Sequence, residues 1–479
     1  MIKKSLYKNT VFAFLLQFSN LLYPLITAPY ISRVLGADGI GKVDFSSSVV
    51  SWFVLLATFG TMTYGVREVA KIRDNQVLLS RFFSEVFILK IVATVLTFVI
   101  YLPCILFIER FSQDYILFLV QGVVLLFNVF SLDWFFQGVE DYKYITIRSI
   151  SMKVISLVAL FMLVKAEEDY LIYAGIFIFA LSFSNILNFI YIRKYVRINL
   201  MGLNFRQHVK QVLVFFASSM VISIYALLDQ VLLGFLKGDT AVALYARAKM
   251  LLASGMVLSM TVSNVIMPRL NNYFLNNKEK YTELLKVSAD MMLMISIPVM
   301  IGTAVLAKQV MLLFGGHEFV PATIALIIIS PLAVIVPIGM WNYQQRLLPL
   351  RHETIGLYVQ IAMATISVVS NIILIPIIGF VGVAISYLLA ETTGTIIGFI
   401  YLQRKDGFRT FTLRQLRYVI AALVMGGSLV LIQLLISVSW LSLIASIFSG
   451  VAVYLMLLIT MQERVTMMML VIVRSKLGK

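Results

Sequence analysis

Apolar residues come in long runs along this chain, and short polar segments separate them. The runs fall at roughly 10–32, 43–66, 83–107, 115–137, 147–164, 170–192, 212–236, 243–267, 284–307, 321–344, 355–375, 379–402, 416–436 and 440–461. A helix of about 20 apolar residues crosses the hydrocarbon core of a bilayer. Inside lipid the backbone must satisfy its own hydrogen bonds, which a helix does within one segment. No run alternates with period two, which argues against a membrane barrel. The pattern predicts an all-α integral membrane protein of about fourteen transmembrane helices with no soluble domain.

Composition points the same way. Hydrophobic residues make up 61% of the 479 residues and charged ones 13%, with a mean hydropathy of +0.95. Soluble domains carry about 25% charged residues. The single cysteine, Cys104, rules out an intramolecular disulfide. Lys3, Lys4 and Lys8 precede an apolar stretch that runs on to Ile31 without a small-x-small cleavage site, so a retained first helix is expected.

The net charge of +16 invites a nucleic-acid reading, but the basic residues sit in short loops between apolar runs. With the N-terminus in the cytoplasm, 29 of the 39 Lys and Arg fall on the inner side. Six fall outside (Arg33, Lys42, Arg110, Lys165, Lys237 and Lys308) and four lie within spans. This is the positive-inside bias, and it places both termini in the cytoplasm. The longest inner loop, Arg193 to Gln211, interleaves Tyr195, Ile198, Leu200, Leu203 and Phe205 with basic residues. It reads equally as a surface amphipathic helix or a solvated basic loop.

A weak internal repeat is present at an offset of 201 residues. Leu35-Gly-Ala-Asp38-Gly-Ile-Gly-Lys-Val-Asp44-Phe-Ser aligns without gaps to Leu236-Lys-Gly-Asp239-Thr-Ala-Val-Ala-Leu-Tyr245-Ala-Arg247. Six helices per repeat gives both copies the same topology, a plan in which substrate binds between halves that rock. The expected organisation is an N-lobe over 1–211, a C-lobe over 212–410, and two extra helices with a tail over 411–479.

Several stretches carry a family resemblance: Ser32-Arg-Val-Leu-Gly-Ala-Asp-Gly-Ile-Gly41, Tyr64-Gly-Val-Arg-Glu-Val-Ala70, Leu132-Asp-Trp-Phe-Phe-Gln-Gly-Val-Glu-Asp-Tyr-Lys-Tyr144, Leu228-Asp-Gln-Val-Leu-Leu-Gly234, Phe314-Gly-Gly-His-Glu-Phe319 and Ile375 to Ser386. In order and spacing the chain resembles the Wzx-type polysaccharide flippases of the multidrug/oligosaccharidyl-lipid/polysaccharide exporter superfamily. The resemblance implies two pseudo-symmetric six-helix lobes around a central cavity. It implies export of undecaprenyl-diphosphate-linked glycan for O-antigen, capsule or teichoic acid across the bacterial cytoplasmic membrane. A glycan polymerase and glycosyltransferases of the same pathway would be partners, beside membrane lipids, and the chain is expected to be a monomer. Two rivals from the same superfamily are a cation-coupled multidrug antiporter and the peptidoglycan-precursor flippase. A membrane glycan polymerase is the rival from another class.

An ionisable residue within a span costs about 2.5–3.5 kcal/mol on insertion scales, so each needs a partner or a wet cavity. Arg247 and Lys249 lie in the outer third of the eighth span, with Lys42, Asp44 and Arg33 at related outer positions. They read as a cationic wall for a diphosphate, because Arg forks onto phosphate oxygens and Lys adds a point charge. Snorkelling to the headgroups is the other reading, and it weighs most for Lys42 and Arg33. Lys90 and Lys153 have Glu85, Asp133 or Asp290 as possible partners. Asp229 is a candidate for pairing with Arg247 or Lys249, or for a proton or sodium site. Glu391, mid-span with a short side chain, is the hardest to explain by snorkelling. Pro24, Pro29, Pro268, Pro298, Pro331 and Pro337 predict kinks. Tyr23, Tyr30, Trp52, Tyr64, Tyr225 and Tyr245 are candidate lining residues for a sugar path.

Enzymatic chemistry finds no support. The histidines His208, His317 and His352 fall in expected loops without metal-ligand spacing. No Walker loop is present, so no ATP or other cofactor is expected, and any coupling would use Na+ or H+.

Overall fold

The computed structural model describes residues 6–199, 202–406 and 413–477, and its elements are helices. Lys3, Lys4 and the expected boundary at 410–411 lie outside the described residues, as does the side chain of Tyr225. Eleven helices among the described residues are long and apolar enough to cross a membrane, and one bent pair makes a twelfth. The protein is a multi-pass membrane protein, and a helix stands at each of the expected spans.

The chain divides into two compact units, Met1–Ala243 and Leu244–Lys479. The first holds α1 (Leu6–Val34), α2 (Gly36–Thr58), α3 (Thr61–Ile72), α4 (Gln76–Phe107), the short α5 (Glu109–Ser112), α6 (Tyr115–Asn128), α7 (Asp133–Gly138), α8 (Tyr142–Leu163), α9 (Tyr170–Tyr191) and α10 (Arg206–Lys237). In it α2 packs on α4, α6 and α10, α1 on α8, and α3 on α7. Its core is aromatic, with Tyr64, Phe82, Phe83, Phe87 and Trp134 to Phe136 buried together.

Two expected spans of this unit are broken. The second bends at Phe59 and Gly60, which take φ of 47° and 69° between α2 and α3. A side chain at Gly60 would collide with the α10 backbone at Val212 and Phe216, so glycine permits both the turn and the close approach. The fourth stops at Asn128 and resumes as α7. Trp134 of α7 lies where a side chain on Gly65 of α3 would stand. The loop expected as a possible surface helix is not helical from 196 to 199 or from 202 to 205. Its amides bond to α4 instead: Arg197 N to Ser80 Oγ at 3.2 Å, Asn199 N to Ser84 Oγ at 3.0 Å and Asn204 N to Glu85 at 2.8 Å. These bonds offer the backbone partners that compete with a helix.

The second unit holds most of α11 (Asp239–Asn276), then α12 (Lys278–Gly315), α13 (Thr323–Ile329), α14 (Leu332–Asn342), α15 (Glu353–Ile378), α16 (Phe380–Asp406), α17 (Leu416–Leu435), α18 (Trp440–Thr460) and α19 (Arg464–Leu477). The hairpin partners α15 and α16 pack along each other, as do α17 and α18, while α12 packs on α14 and α17. The expected tenth span bends by 45° where Ser330 and Pro331 part its two halves. By contrast α1, α11 and α12 run through Pro24, Pro29, Pro268 and Pro298 without ending.

After α14 the chain makes one π-turn, Tyr343–Leu347, with Leu348 N bonded to Tyr343 O at 3.0 Å. Such wider turns often mark functional positions. Here Gln345 is wholly buried and joins Ser263 of α11 (2.8 Å) to Ser288 of α12. Trp341 Nε1 donates to the same Ser288 at 2.7 Å, and Tyr281 donates to Gln345 O at 2.7 Å. Arg346 is also fully buried, donating to Asn342 Oδ1 at 2.9 Å with its guanidinium 5.5 Å from the Trp341 ring. The sequence reading placed Arg346 in an inner loop; the π-turn carries it inside the helical unit instead.

Candidate functional site

In the second unit the cations of α11 are drawn inward. Arg247 is 6% exposed and Lys249 is half-buried. Residues two apart on a helix point to different faces. Accordingly Arg247 lies 5.5 Å from the Phe319 ring, with Met250 Sδ at 3.5 Å, whereas Lys249 turns to α16. Its ammonium is 5.0 Å from the Tyr387 ring and 5.5 Å from Tyr245. One turn beyond Tyr387, Glu391 is 9% exposed, and Lys249 acts on its carboxylate electrostatically. The Lys249 charge thus offsets part of the cost of burying Glu391. Tyr387 and Phe319 are contacts that charge-based reading of the sequence does not single out.

In the first unit, Lys42 pairs with Asp38 at 3.0 Å, one turn back on α2, and its ammonium is 5.2 Å from the Tyr170 ring. Arg33 is exposed and donates to Pro29 O at 2.8 Å in the last turn of α1. Asp44 is half-buried, and its carbonyl accepts from Ser48. The Oγ of Ser48, the repeat equivalent of Lys249, also lies 2.5 Å from the Gln230 side-chain amide. Beside Gln230, Asp229 is 2% exposed and accepts from the Gln230 amide at 2.7 Å. Arg110 pairs with Asp239, the repeat equivalent of Asp38, and lies 4.8 Å from the Phe45 ring.

The span charges of α4 and α8 meet other partners. Lys90, 1% exposed, donates to Ser131 O at 2.7 Å and is acted on by the Asp133 charge. Asp133 is forked by Arg148 at 2.8 and 3.0 Å and accepts from Asn188 at 3.0 Å. Arg148, at the inner edge of the expected fifth span and counted with the inner-side charges, is 7% exposed and belongs to this network. Lys153 donates to Ser19 Oγ at 2.9 Å and to Asn20. Tyr64 and Tyr245, candidates for a sugar path, are buried at 3% and 0% exposure.

Comparison with known proteins decides the family. A family model described as polysaccharide biosynthesis protein matches residues 6–274, more than half of the chain. The chain belongs to that family. A protein of Escherichia coli (strain K12) named as an O-antigen transporter is 26% identical over 348 residues, covering 70% of this chain and 82% of that one. A protein of Haloferax volcanii named as a low-salt glycan biosynthesis flippase is 24% identical over 233 residues, 48% of this chain and 49% of that one. The structure of a lipid II flippase, MurJ, in an inward closed conformation, superposes with a TM-score of 0.72 at 14% identity, over 94% of this chain and 98% of that chain. That likeness shows the fold. The family member described here is a membrane transport protein of polysaccharide biosynthesis rather than an enzyme.

Proposed function

We propose that the chain moves undecaprenyl-diphosphate-linked oligosaccharide units from the inner to the outer leaflet of the bacterial cytoplasmic membrane by alternating access. Both termini are cytoplasmic in this reading. The observation that supports it is the burial of Arg247 and the half-burial of Lys249, two span cations in a family described as polysaccharide biosynthesis proteins. Lys249 is the leading contact for the diphosphate, with Glu391 as its resting counter-ion, and Arg247, Lys42 and Arg33 supply further positive charge. An inside-negative potential favours outward movement of the anionic head by about 2.3 kcal/mol per charge per 100 mV, so no ATP is required. Pathway glycosyltransferases would supply the cargo and a polymerase would consume it. In a flippase-null strain, the pair Arg247→Gln with Lys249→Gln is expected to express normally and to abolish surface glycan. Retained export by that pair would remove the diphosphate assignment.

Glu391 favours a second reading, export of organic cations, since a buried carboxylate is what a cationic drug requires. Dye efflux from cells expressing the chain, lost in Glu391→Gln, would support it against the first.

A further inference from the structure

The first unit contains a buried chain of three titratable groups that the glycan reading does not use. Tyr64 of α3 places its hydroxyl 2.6 Å from His208 Nδ1, and His208 Nε2 is 2.6 Å from Glu85 Oε2 on α4. All three are nearly sealed from outside, at 3%, 5% and 1% exposure. The ring of Phe82 closes over the imidazole edge-on at 5.3 Å. Sequence reading set His208 in a loop; it stands in the first turn of α10.

The donors around Glu85 fix the arrangement. Oε1 accepts from Arg81 Nε at 3.1 Å and from the Asn204 amide at 2.8 Å. Oε2 accepts from Gln207 Nε2 at 3.0 Å as well as from His208. A carboxylate only accepts, so Nε2 carries a hydrogen and the neutral imidazole presents Nδ1 as an acceptor to the tyrosine hydroxyl. A proton added at Nδ1 reverses that bond: Nδ1–H donates to Tyr64 Oη, whose own hydrogen rotates away from the ring. No heavy atom has to move. The cluster gains one positive charge, and the His208–Glu85 bond becomes an imidazolium–carboxylate pair, a class about twice as strong as a neutral hydrogen bond.

What this chain holds is the segment leading into α10. Glu85 binds Asn204, Gln207 and His208 at once, and Arg81 donates to Gly202 O at 2.6 Å. We propose that Tyr64, His208 and Glu85 form a proton-binding site whose occupancy sets how tightly residues 202–208 are clasped to α3 and α4. Among the described residues, the charged and titratable groups that act on it sit on α3 and α4. On α3 they are Glu68 and Arg67, one turn from Tyr64, and on α4, Glu85 and Arg81; Arg206 and Lys210 of α10 lie two residues either side of His208 and so on other faces of the helix. The proposal does not depend on which cargo is carried.

The full chain has three histidines, so 15N-histidine labelling in nanodiscs reads the site directly, with His208→Gln assigning its signals. The expected result is a neutral Nε2–H tautomer at pH 8.5 that converts to imidazolium by pH 5.5. Glu85→Gln is expected to move that conversion to lower pH, and Tyr64→Phe to change the Nδ1 shift of the neutral form while the fold persists. Hydrogen exchange of the 202–208 amides, corrected for intrinsic rates, is expected to slow on protonation in the native chain and to lose that dependence in His208→Gln. One unchanging state of His208 across this range, or a Glu85→Gln titration equal to the native one, would overturn the proposal. Equal 202–208 exchange in both protonation states would overturn the clasp.

Discussion

Arg148 grips Asp133 with both terminal nitrogens, at 2.8 and 3.0 Å, and so ties α8 to the short helix that follows the break in the fourth span. Lys90 and Asn188 sit beside the same carboxylate. Arg148 is buried and Asp133 half-buried, so removing Asp133 strands the buried guanidinium, a loss that reaches about 3–5 kcal/mol in fully buried pairs and is smaller here, whereas replacing both by apolar groups is often close to neutral. Asp133→Leu is therefore expected to lower thermal stability in detergent. Pairing it with Arg148→Met should recover part of the loss, and equal melting of the single and double variants would show that the pair is not coupled.

Lys249 rests near the Tyr387 ring one turn from Glu391. A cation over an aromatic face contributes about 0.5–2 kcal/mol, or roughly 2- to 30-fold. Tyr387→Phe keeps the ring face and is expected to retain export. Tyr387→Leu should reduce it within that range, and Lys249→Gln should remove it. The measurement is uptake of a labelled lipid-linked glycan into proteoliposomes.

Gly60 carries a left-handed turn under α10. Gly60→Ala meets two penalties, about 1–2 kcal/mol for the positive φ and a clash with the α10 backbone. Gly175 of α9 has open space where its side chain would stand. There alanine is expected to be neutral or to stabilise by about 0.5–1 kcal/mol, because a mid-helix glycine carries an entropic cost. The melting temperature should fall in Gly60→Ala and hold or rise in Gly175→Ala.

Glu463 lies past the end of α18 and caps α19. Burial pushes its carboxyl up, but the Val465 and Thr466 amides and the Tyr418 hydroxyl stabilise the charged form, and the net position is below the ordinary value. A carboxyl depressed in the folded state contributes stability that is present above the ordinary value near 4.5 and is lost as pH falls through the folded one. Acidification below that point should lower the protection of the Val465 and Thr466 amides against hydrogen exchange, once corrected for intrinsic rates. Glu463→Gln should show fast exchange already at pH 7 and a flattened response to acid.

Hydropathy alone located the spans, because lipid dictates helices of one length and leaves few alternatives. It did not locate the breaks at Phe59 and Asn128, which depend on what packs against them: α10 over Gly60, and Trp134 against Gly65. Charge counting found Arg247, Lys249 and Glu391 as residues needing partners, but a one-dimensional pattern could not say that the two cations turn to different elements. It misfiled His208 and Arg346 as loop residues and tallied Arg148 with the inner-side charges, since a polar residue at the edge of an apolar run looks the same whether the helix ends there or carries it inside.

The π-turn at Tyr343–Leu347 works as a one-residue phase shifter. Each α-helical residue advances the chain by about 100°, so the extra residue offsets everything before the turn from everything after it by that angle. It brings positions five apart, Trp341 and Arg346, onto one side and lets Gln345 reach two neighbouring helices. Deleting a single residue from this stretch would re-phase the ladder and swing the buried guanidinium off its indole partner. A chain altered by one residue here would keep its hydropathy profile and lose its internal wiring.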